Sequence, residues 1–160
     1  MYNPIDFNIL KQKKTQVHYL SYYVKWDPQE MFYYAAENTG FRPNNERSQG
    51  SYSKYAGIDD ILEWLHFYMI FIKFGIGRAT YDASQEIRNN KITREEGVAL
   101  VQKYDHEFPK RYFDDFLKYI KMDEEEFYNT LDKFRKEHLW EDIGGERKYC
   151  KNWKLKHKVW

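Results

Sequence analysis

The chain has 160 residues, which is long enough for one domain with a hydrophobic core of its own. Its net charge of +1 excludes a strong overall field that would select nucleic acid or an anionic membrane surface as the partner. The single cysteine, Cys150, excludes an intrachain disulfide and a metal site built from cysteines alone.

The chain is expected to form a single domain over residues 1–160. Its N-terminal residues lack the basic and then apolar pattern of a signal peptide, so we expect a cytoplasmic location. Aromatic residues make up 19% of the chain, which favours an aromatic core or a surface that contacts sugars or bases.

The first third of the chain contains three recognisable segments. Residues 19–24 are aromatic and β-branched, which indicates a strand or the edge of a loop. Asp27, Pro28 and Glu30 have the pattern of a helix start, and this helix is predicted to end before Gly40. Residues 41–57 are predicted to be a long loop, and the aromatic and basic side chains near its end favour a binding loop.

Residues 58–74 are the most apolar stretch and are predicted to form a buried central helix. A membrane span is the alternative interpretation. Acidic residues near the start of the stretch and Lys73 near its end leave too short an uncharged run to cross a bilayer. The sequence therefore predicts no membrane segment here.

Gly75 and Gly77 interrupt the apolar stretch, and a second helix is predicted over residues 78–90. Two sets of side chains recur at every fourth position on adjacent faces of this helix. The apolar set is Ala79, Ala83 and Ile87, and the charged set is Arg78, Asp82 and Glu86. The small alanine side chains predict a close approach by a neighbouring helix.

A glycine turn at a helix start flanked by Lys73 and Arg78 indicates a phosphate or diphosphate site, because free backbone N–H groups and the helix dipole favour an anion. The simpler alternative is a helix break with Arg78 paired to Asp82. Asp82 and Glu86 are candidates for an acid and base pair or for a magnesium site beside phosphates. Alternatively, they orient Arg78 and Arg88.

Three more helices are predicted in the second half. Their start signals are a capping box formed by Thr93 and Glu96, Pro109, and Asp123 with Glu126. The glycine pair at 144–145 is predicted to end the helical part, and the alternating apolar and basic residues over 153–160 favour a strand. The predicted fold is mainly α, a helical bundle of about six helices around the buried central helix, with minor short strands at the termini.

Several segments of the chain form a recognisable set. They are Tyr22-Tyr23-Val24-Lys25-Trp26-Asp27-Pro28-Gln29-Glu30, Glu46-Arg47, Tyr52-Ser53-Lys54-Tyr55, Phe71-Ile72-Lys73-Phe74-Gly75-Ile76-Gly77-Arg78-Ala79-Thr80, Asp82-Ala83, Gln85-Glu86-Ile87-Arg88 and Ile92-Thr93-Arg94-Glu95-Glu96-Gly97. Together they resemble the C-terminal half of the N-acetyl sugar amidotransferases, which belong to the PP-loop ATPases of surface-polysaccharide biosynthesis. The most specific part of the resemblance is residues 73–88.

The resemblance implies a reaction in lipopolysaccharide and O-antigen biosynthesis. ATP activates the acetamido oxygen of a nucleotide sugar, and ammonia replaces that oxygen to give an acetamidino group. A glutaminase subunit and a cyclase-like subunit are the implied partners that supply the ammonia. ATP and Mg²⁺ are implied for the complete enzyme, and none is expected for this chain alone.

The resemblance and the residue patterns together give a set of candidate site residues, and no metal site is among them. Asp82 and Glu86 are the catalytic candidates. The candidates for binding substrate or phosphate are Tyr52, Lys54, Tyr55, Lys73, Gly75, Gly77, Arg78 and Arg88.

The family's ATP-binding loop, of the type Ser-Gly-Gly-Lys-Asp-Ser, does not occur in these residues, and neither does its N-terminal cysteine cluster. We therefore expect the chain to be a fragment, a split-gene product or an excised piece of the helical C-terminal region, with an N-terminal PP-loop ATPase portion as its partner. By itself, the chain is expected not to hydrolyse ATP.

The alternative function is a non-enzymatic interaction module, or an RNA-binding module that uses the basic and aromatic C-terminal tail through charge and stacking. The lysines concerned are Lys148, Lys151, Lys154, Lys156 and Lys158. The simpler interpretation is a terminal strand docked on the domain, which argues against nucleic acid as a partner.

Overall fold

The structure, a computed structural model, describes residues 4–146 and 148–160. Residues 1–3 and 147 fall within the predicted single domain but lie outside the described residues. The described part contains helices α1 (Phe7–Gln12), α2 (Pro28–Asn38), α3 (Glu63–Phe74), α4 (Arg78–Arg88), α5 (Arg94–Tyr104), α6 (Phe113–Ile120) and α7 (Glu124–Lys133). The strands are β1 (Trp140–Glu146) and β2 (Lys151–Leu155).

The mainly α fold predicted from the sequence is confirmed, and the six predicted helices correspond to α2–α7. Helix α1 is a short addition. Residues 20–22 form a 3₁₀ turn in the segment for which a strand or a loop edge was predicted. Both strands lie near the C-terminus, where they form an antiparallel hairpin.

The predicted helix starts carry the side-chain caps that their sequences indicate. A side-chain oxygen of Asp27 accepts a hydrogen bond from the N–H of Glu30 at the start of α2. Thr93 and Glu96 form a reciprocal capping box at the start of α5. These caps satisfy backbone N–H groups that have no partner inside the helix.

Helix α3 begins at Glu63, five residues later than the sequence predicted. The side chain of Asp60 accepts a hydrogen bond from the N–H of Leu62 at 2.8 Å. Such a local bond offers the backbone an alternative to the helix, so the acidic residues after Ile58 form a turn.

Helix α3 is the central element because its side chains belong to both clusters of the core. Leu65, Phe71 and Ile72 pack with buried residues of α7 and the hairpin, namely Phe127, Leu131, Trp140 and Leu155. Trp64 and Phe67, on another part of the α3 surface, pack with Ala56 of the long loop. The central position predicted for this helix is therefore confirmed.

The hairpin is attached to α3 by a buried polar contact. The indole N–H of Trp140 donates to the carbonyl of Ile72 at 2.7 Å. Trp140 pairs with Leu155 across the two strands, and both side chains are buried. The tail segment that was a candidate for RNA binding thus begins as a strand docked on the core.

Helices α4 and α5 pack at close range through small residues. Ala79 and Ala83 are buried, as the four-residue repeat predicted. A methyl group placed on Gly97 of α5 would lie 2.7 Å from Cδ1 of Ile87, so a larger residue at this crossing would force the end of the Ile87 side chain to move. The close crossing fixes the direction in which α4 presents its charged face.

The segment before α2 contributes little to the core. None of the residues of α1 or of the following 3₁₀ turn is buried. Exposed apolar side chains there include Phe7, Val17 and Tyr22. Across the described ranges, no helix combines the length and the apolar content needed to span a membrane.

Candidate functional site

The start of α4 is occupied by a carboxylate of the protein itself. Asp105, which is 2% exposed, accepts hydrogen bonds from the N–H of Gly77 at 2.7 Å and from the N–H and hydroxyl of Thr80 at 2.9 and 2.8 Å. The anion expected at this helix start is therefore Asp105, and a phosphate on these backbone groups would have to displace it.

The two glycines before α4 have structural roles at this point. Gly75 ends α3 in the left-handed conformation, with φ of 73°. A methyl group on Gly77 would lie 2.7 Å from a carboxylate oxygen of Asp105, so glycine is needed for the close approach. In the structure Gly75 forms a turn and Gly77 makes a capping contact, and their contribution to phosphate binding stays a prediction.

Arg78 and Asp82 form the charged pair that their four-residue spacing predicted. The Nε of Arg78 donates to Asp82 at 2.9 Å, and the buried hydroxyl of Ser51 donates to the other oxygen of Asp82 at 2.5 Å. Burial raises the pKa of Asp82, although Arg78 and Ser51 act in the opposite direction. Asp82 therefore orients Arg78 and is itself held by the long loop.

Glu86 has a different environment one turn further along α4. The hydroxyl of Tyr52 donates to Oε2 of Glu86 at 3.1 Å. No lysine, arginine or histidine in the described part of the chain forms an ion pair with this carboxylate, and Arg88 does not contact it. Burial raises the pKa of Glu86, and the negative charges of Asp82 and Asp27 raise it further.

A cavity of about 320 Å³, which we call the acidic cavity, lies between α2, the long loop and α4. Its lining is mostly apolar and aromatic. The lining residues are Trp26, Asp27, Pro28, Gln29, Met31, Phe32, Ala35, Phe41, Ser53, Tyr55, Arg78, Tyr81, Asp82, Gln85, Glu86 and Asn89. Three carboxylates and one guanidinium group therefore face the same space.

Two hydrogen bonds hold Trp26, which directly precedes the cap of α2, against α4. The indole N–H of Trp26 donates to the buried side chain of Gln85 at 3.1 Å. The amide of Asn89 donates to the carbonyl of Trp26 at 3.1 Å. On the loop side, the rings of Phe32 and Tyr55 are stacked with their centroids 4.6 Å apart.

Asp27 is 3% exposed and lies at the α2 side of the acidic cavity. One oxygen caps α2, and the other accepts no hydrogen bond from the described residues. The Nζ of Lys91 lies 3.4 Å from this second oxygen. Although burial raises the pKa of Asp27, the Glu30 N–H and Lys91 together hold it below its ordinary value.

A second concave surface, which we call the basic groove, lies on the other side of the long loop. It is lined by Asn45, Glu46, Arg47, Gln49, Tyr52, Lys54, Trp64, Lys110 and Arg111. Arg111 forms an exposed ion pair with Glu46 at 3.1 Å, and the Nζ of Lys54 donates to the carbonyl of Asn45. The basic side chains in this groove outnumber the acidic one.

The segment Tyr52-Ser53-Lys54-Tyr55 separates the two surfaces. Tyr52 and Lys54 line the basic groove, whereas Ser53 and Tyr55 line the acidic cavity. This alternation is the pattern of an extended chain, in which successive side chains point to opposite sides. The hydroxyl of Tyr52 reaches Glu86 of the acidic cavity, so the two surfaces meet at this side chain.

The long loop is held in place by a bidentate ion pair. The guanidinium of Arg47 contacts both oxygens of Glu107 at 2.6 and 2.7 Å, and Glu107 also accepts a bond from the N–H of Gly50. Burial raises the pKa of Glu107, but the bonds from Arg47 and Gly50 outweigh this effect and lower it. The pair fixes the loop to the chain after α5.

The predicted site residues therefore fall into three groups. Arg78, Asp82, Glu86 and Tyr55 line the acidic cavity, and Tyr52 and Lys54 line the basic groove. Lys73 lines neither surface, and its Nζ lies 5.5 Å from the ring centre of Phe134. Arg88 is exposed in the last turn of α4 and also lines neither surface.

Sequence reasoning missed several residues of these surfaces. Trp26 and Phe32 were not candidates for the acidic cavity, because only the folded chain brings them to the same cavity as the α4 residues. Lys110 and Arg111 directly follow Pro109, and this basic pair was a signal that could have indicated the groove. Within the described residues, no group of three or more metal-ligating side chains is placed to hold a metal ion.

Glu86→Gln is expected to change how stability depends on pH. Because the pKa of Glu86 is raised in the folded state, the ionised carboxylate lowers the free energy of unfolding once the pH rises above its ordinary pKa of about 4.3. Relative to wild type, the variant should gain stability from pH about 4 to neutral pH, as measured by urea denaturation. Glu37→Gln, at an exposed site on α2, is the control. If the free energy of unfolding of Glu86→Gln differed from that of wild type by the same amount at pH about 4 and at neutral pH, the prediction would be wrong.

The geometry defines a helical domain with an acidic, aromatic cavity and a basic groove on opposite sides of one loop segment. The family model described as LPS biosynthesis protein WbpG-like, C-terminal domain, matches residues 49–158. The chain belongs to this family, which places it in lipopolysaccharide (LPS) biosynthesis. A search of curated proteins found no match.

The region that matches the family model contains part of the candidate site, and the rest of the site precedes it. It includes the loop segment 52–55, helices α3–α7 and the hairpin. Helix α2 and Trp26, which form one wall of the acidic cavity, precede the matched region. The family domain therefore supplies Arg78, Asp82 and Glu86 to the cavity, and the preceding segment supplies Asp27 and the rings of Trp26 and Phe32.

Proposed function

We propose that this chain is the substrate-binding part of an ATP-dependent amidotransferase, which converts the acetamido group of a nucleotide sugar to an acetamidino group in O-antigen biosynthesis. Family membership supports the pathway. The observation that carries the proposal is the pair of unlike surfaces on either side of residues 52–55. A nucleotide sugar has two unlike parts, an anionic diphosphate and a neutral acetamido sugar.

The basic groove is the proposed site of the diphosphate. Lys54, Lys110 and Arg111 supply cationic donors there, and lysine and arginine form charge-assisted hydrogen bonds with phosphate oxygens. The rings of Trp64 and Tyr52 also line the groove and provide apolar surface beside these cations. Lys73 and Arg88 lie outside both surfaces, so we assign them no contact with the phosphates.

The acidic cavity is the proposed site of the acetamido sugar. The rings of Phe32 and Tyr55 offer the apolar faces on which sugars pack. Only the Nε of Arg78 is bonded to Asp82, so its two terminal nitrogens remain available to donate to the acetamido oxygen. Glu86, whose raised pKa favours proton uptake, would accept a proton from the incoming nitrogen.

We further propose that ATP binds outside this chain. The helix start that resembles a phosphate site is filled by Asp105. We therefore assign ATP and Mg²⁺ to an N-terminal PP-loop ATPase portion that acts with this chain. The ammonia would come from the glutaminase and cyclase-like subunits that the resemblance implies.

The test is an assay of this chain together with its PP-loop portion, ATP, Mg²⁺, an ammonium salt and a UDP-N-acetyl sugar. Mass spectrometry should detect a product in which an NH group replaces one oxygen. The variant Lys54→Ala/Lys110→Ala should raise the KM for the sugar nucleotide about tenfold, because two cationic contacts with phosphate are lost.

The matched control is Lys73→Ala/Arg88→Ala, which removes the same number of charges outside the two surfaces. Its KM should equal that of wild type. Absence of the product with the wild-type chain would overturn the proposed function. An equal loss in the control variant would overturn the assignment of the diphosphate to the basic groove.

A further inference from the structure

The charges that line the acidic cavity do not balance. Asp82 is neutralised by Arg78 at 2.9 Å, and Asp27 lies 3.4 Å from Lys91 and 3.7 Å from Lys25. Glu86 has no such partner among the described residues. The cavity therefore contains one carboxylate whose charge the described residues leave uncompensated.

Glu86 also has unused hydrogen-bonding capacity. Its Oε2 accepts from Tyr52, while its Oε1 accepts from no group in residues 4–146 or 148–160. On the α2 side of the same cavity, the second oxygen of the buried Asp27 likewise accepts no hydrogen bond from these residues. The Asp27 oxygen is buried, so leaving it without a donor is costly, whereas Oε1 of the half-buried Glu86 has capacity to accept a hydrogen bond from a ligand.

The aromatic lining of the acidic cavity also favours the binding of a cation. The rings of Trp26, Phe32, Tyr55 and Tyr81 line it, and aromatic faces attract cations through their quadrupole. A ligand with a positive charge and a flat body would use both the carboxylate and the rings. An anion would meet three carboxylates and a single guanidinium group that is already paired.

We propose that the acidic cavity binds a planar organic cation of the amidinium class, with the two N–H donors of the amidinium directed at Glu86. An amidinium matches a carboxylate in shape because two parallel N–H groups can face its two oxygens. A metal ion is a poorer fit, since the described residues contain no group of three ligands.

The inference rests on the proposed function for the identity of the natural ligand, which is then the acetamidino sugar that the reaction forms. The cavity would hold the product more tightly than the neutral acetamido substrate. Release of the product would accordingly be slowed by the same carboxylate that favours the reaction.

The experiment measures the charge preference of the cavity in the full chain without any enzymatic reaction. Three ligands of nearly equal shape are compared by calorimetric titration, namely benzamidine (a cation), benzamide (neutral) and benzoate (an anion). Benzamidine should bind about tenfold more tightly than benzamide, as expected for one charged hydrogen-bonded contact, and benzoate should bind most weakly. The indole N–H resonance of Trp26, assigned with Trp26→Phe, should shift on addition of benzamidine.

Two variants decide whether Glu86 is responsible. Glu86→Gln keeps an acceptor for Tyr52 and should reduce the affinity for benzamidine to that for benzamide. Glu37→Gln, which removes an exposed charge from α2, should leave the affinity unchanged. Equal or tighter binding of benzoate, an unchanged affinity in Glu86→Gln, or an unmoved Trp26 resonance would overturn the inference. If benzamidine binds as expected but the assay yields no acetamidino product, the cavity assignment stands and the proposed function fails.

Discussion

Asp105→Ala is expected to lower the free energy of unfolding by about 3 kcal/mol, because it removes a charged acceptor and leaves buried donors without a partner. The carboxylate is 2% exposed and accepts three hydrogen bonds from Gly77 and Thr80. Urea denaturation followed by circular dichroism measures the loss.

Thr80→Val is the matched control for this prediction. It removes only the hydroxyl donor to Asp105 and keeps the bond from its backbone N–H, so the expected loss is about 1 kcal/mol. If Asp105→Ala cost no more than Thr80→Val, the carboxylate would not be the main support of the α4 start. The start of α4 would then again be a candidate site for an external anion.

Ile72→Ala is expected to destabilise the fold by about 3 kcal/mol, a large fraction of the stability of a domain of this size. Ile72 is fully buried and belongs to the cluster that joins α3 to α7 and the hairpin. Truncation would leave a cavity among side chains that cannot all move to fill it. The hydrogen bond from Trp140 to the carbonyl of residue 72 would remain, because it uses the backbone.

Ile70→Ala makes the same chemical change two residues earlier on α3, where the side chain is only half-buried. The expected loss is smaller, about 1 kcal/mol, since less apolar surface is returned to water. Equal losses for the two variants, measured by urea denaturation, would contradict the central position of the α3 face that carries Ile72.

The start of α4 connects the stability of the fold to the candidate site. Asp105 fixes the first turn of α4. Arg78 and Asp82 of this helix pair with each other, and Glu86 lies one turn further along it. The long loop is fixed separately by the ion pair of Arg47 with Glu107. Asp105 and Glu107 line neither surface, whereas Arg47 also lines the basic groove.

The sequence alone determined the elements whose signals are local. The cap at Asp27 and the capping box at Thr93 each use residues within one helical turn, so helix starts could be predicted closely. The pairing of Arg78 with Asp82 is of the same kind, because residues four apart on a helix are neighbours. The apolar character of α3 similarly predicted its central place in the core.

Tertiary structure decided which charges share a site. Lys73 and Arg78 are only five residues apart, but Gly75 turns the chain through the left-handed region between them, and the two side chains lie on different surfaces. Asp105 is 28 residues from Gly77, so its bond to the helix start has no sequence signature. A local pattern shows that a helix start can hold an anion, but not whether the protein fills it.

The acidic cavity was likewise decided only by packing. Trp26 and Gln85 are 59 residues apart, and their hydrogen bond depends on how α2 lies against α4. The sequence identified Asp82, Glu86 and Tyr55 individually, because each has a reactive or aromatic side chain in a suggestive segment. Among the described residues, Asp82 has a cationic partner and Glu86 has none, and this difference follows from the positions of the neighbouring charges, which only the folded chain fixes.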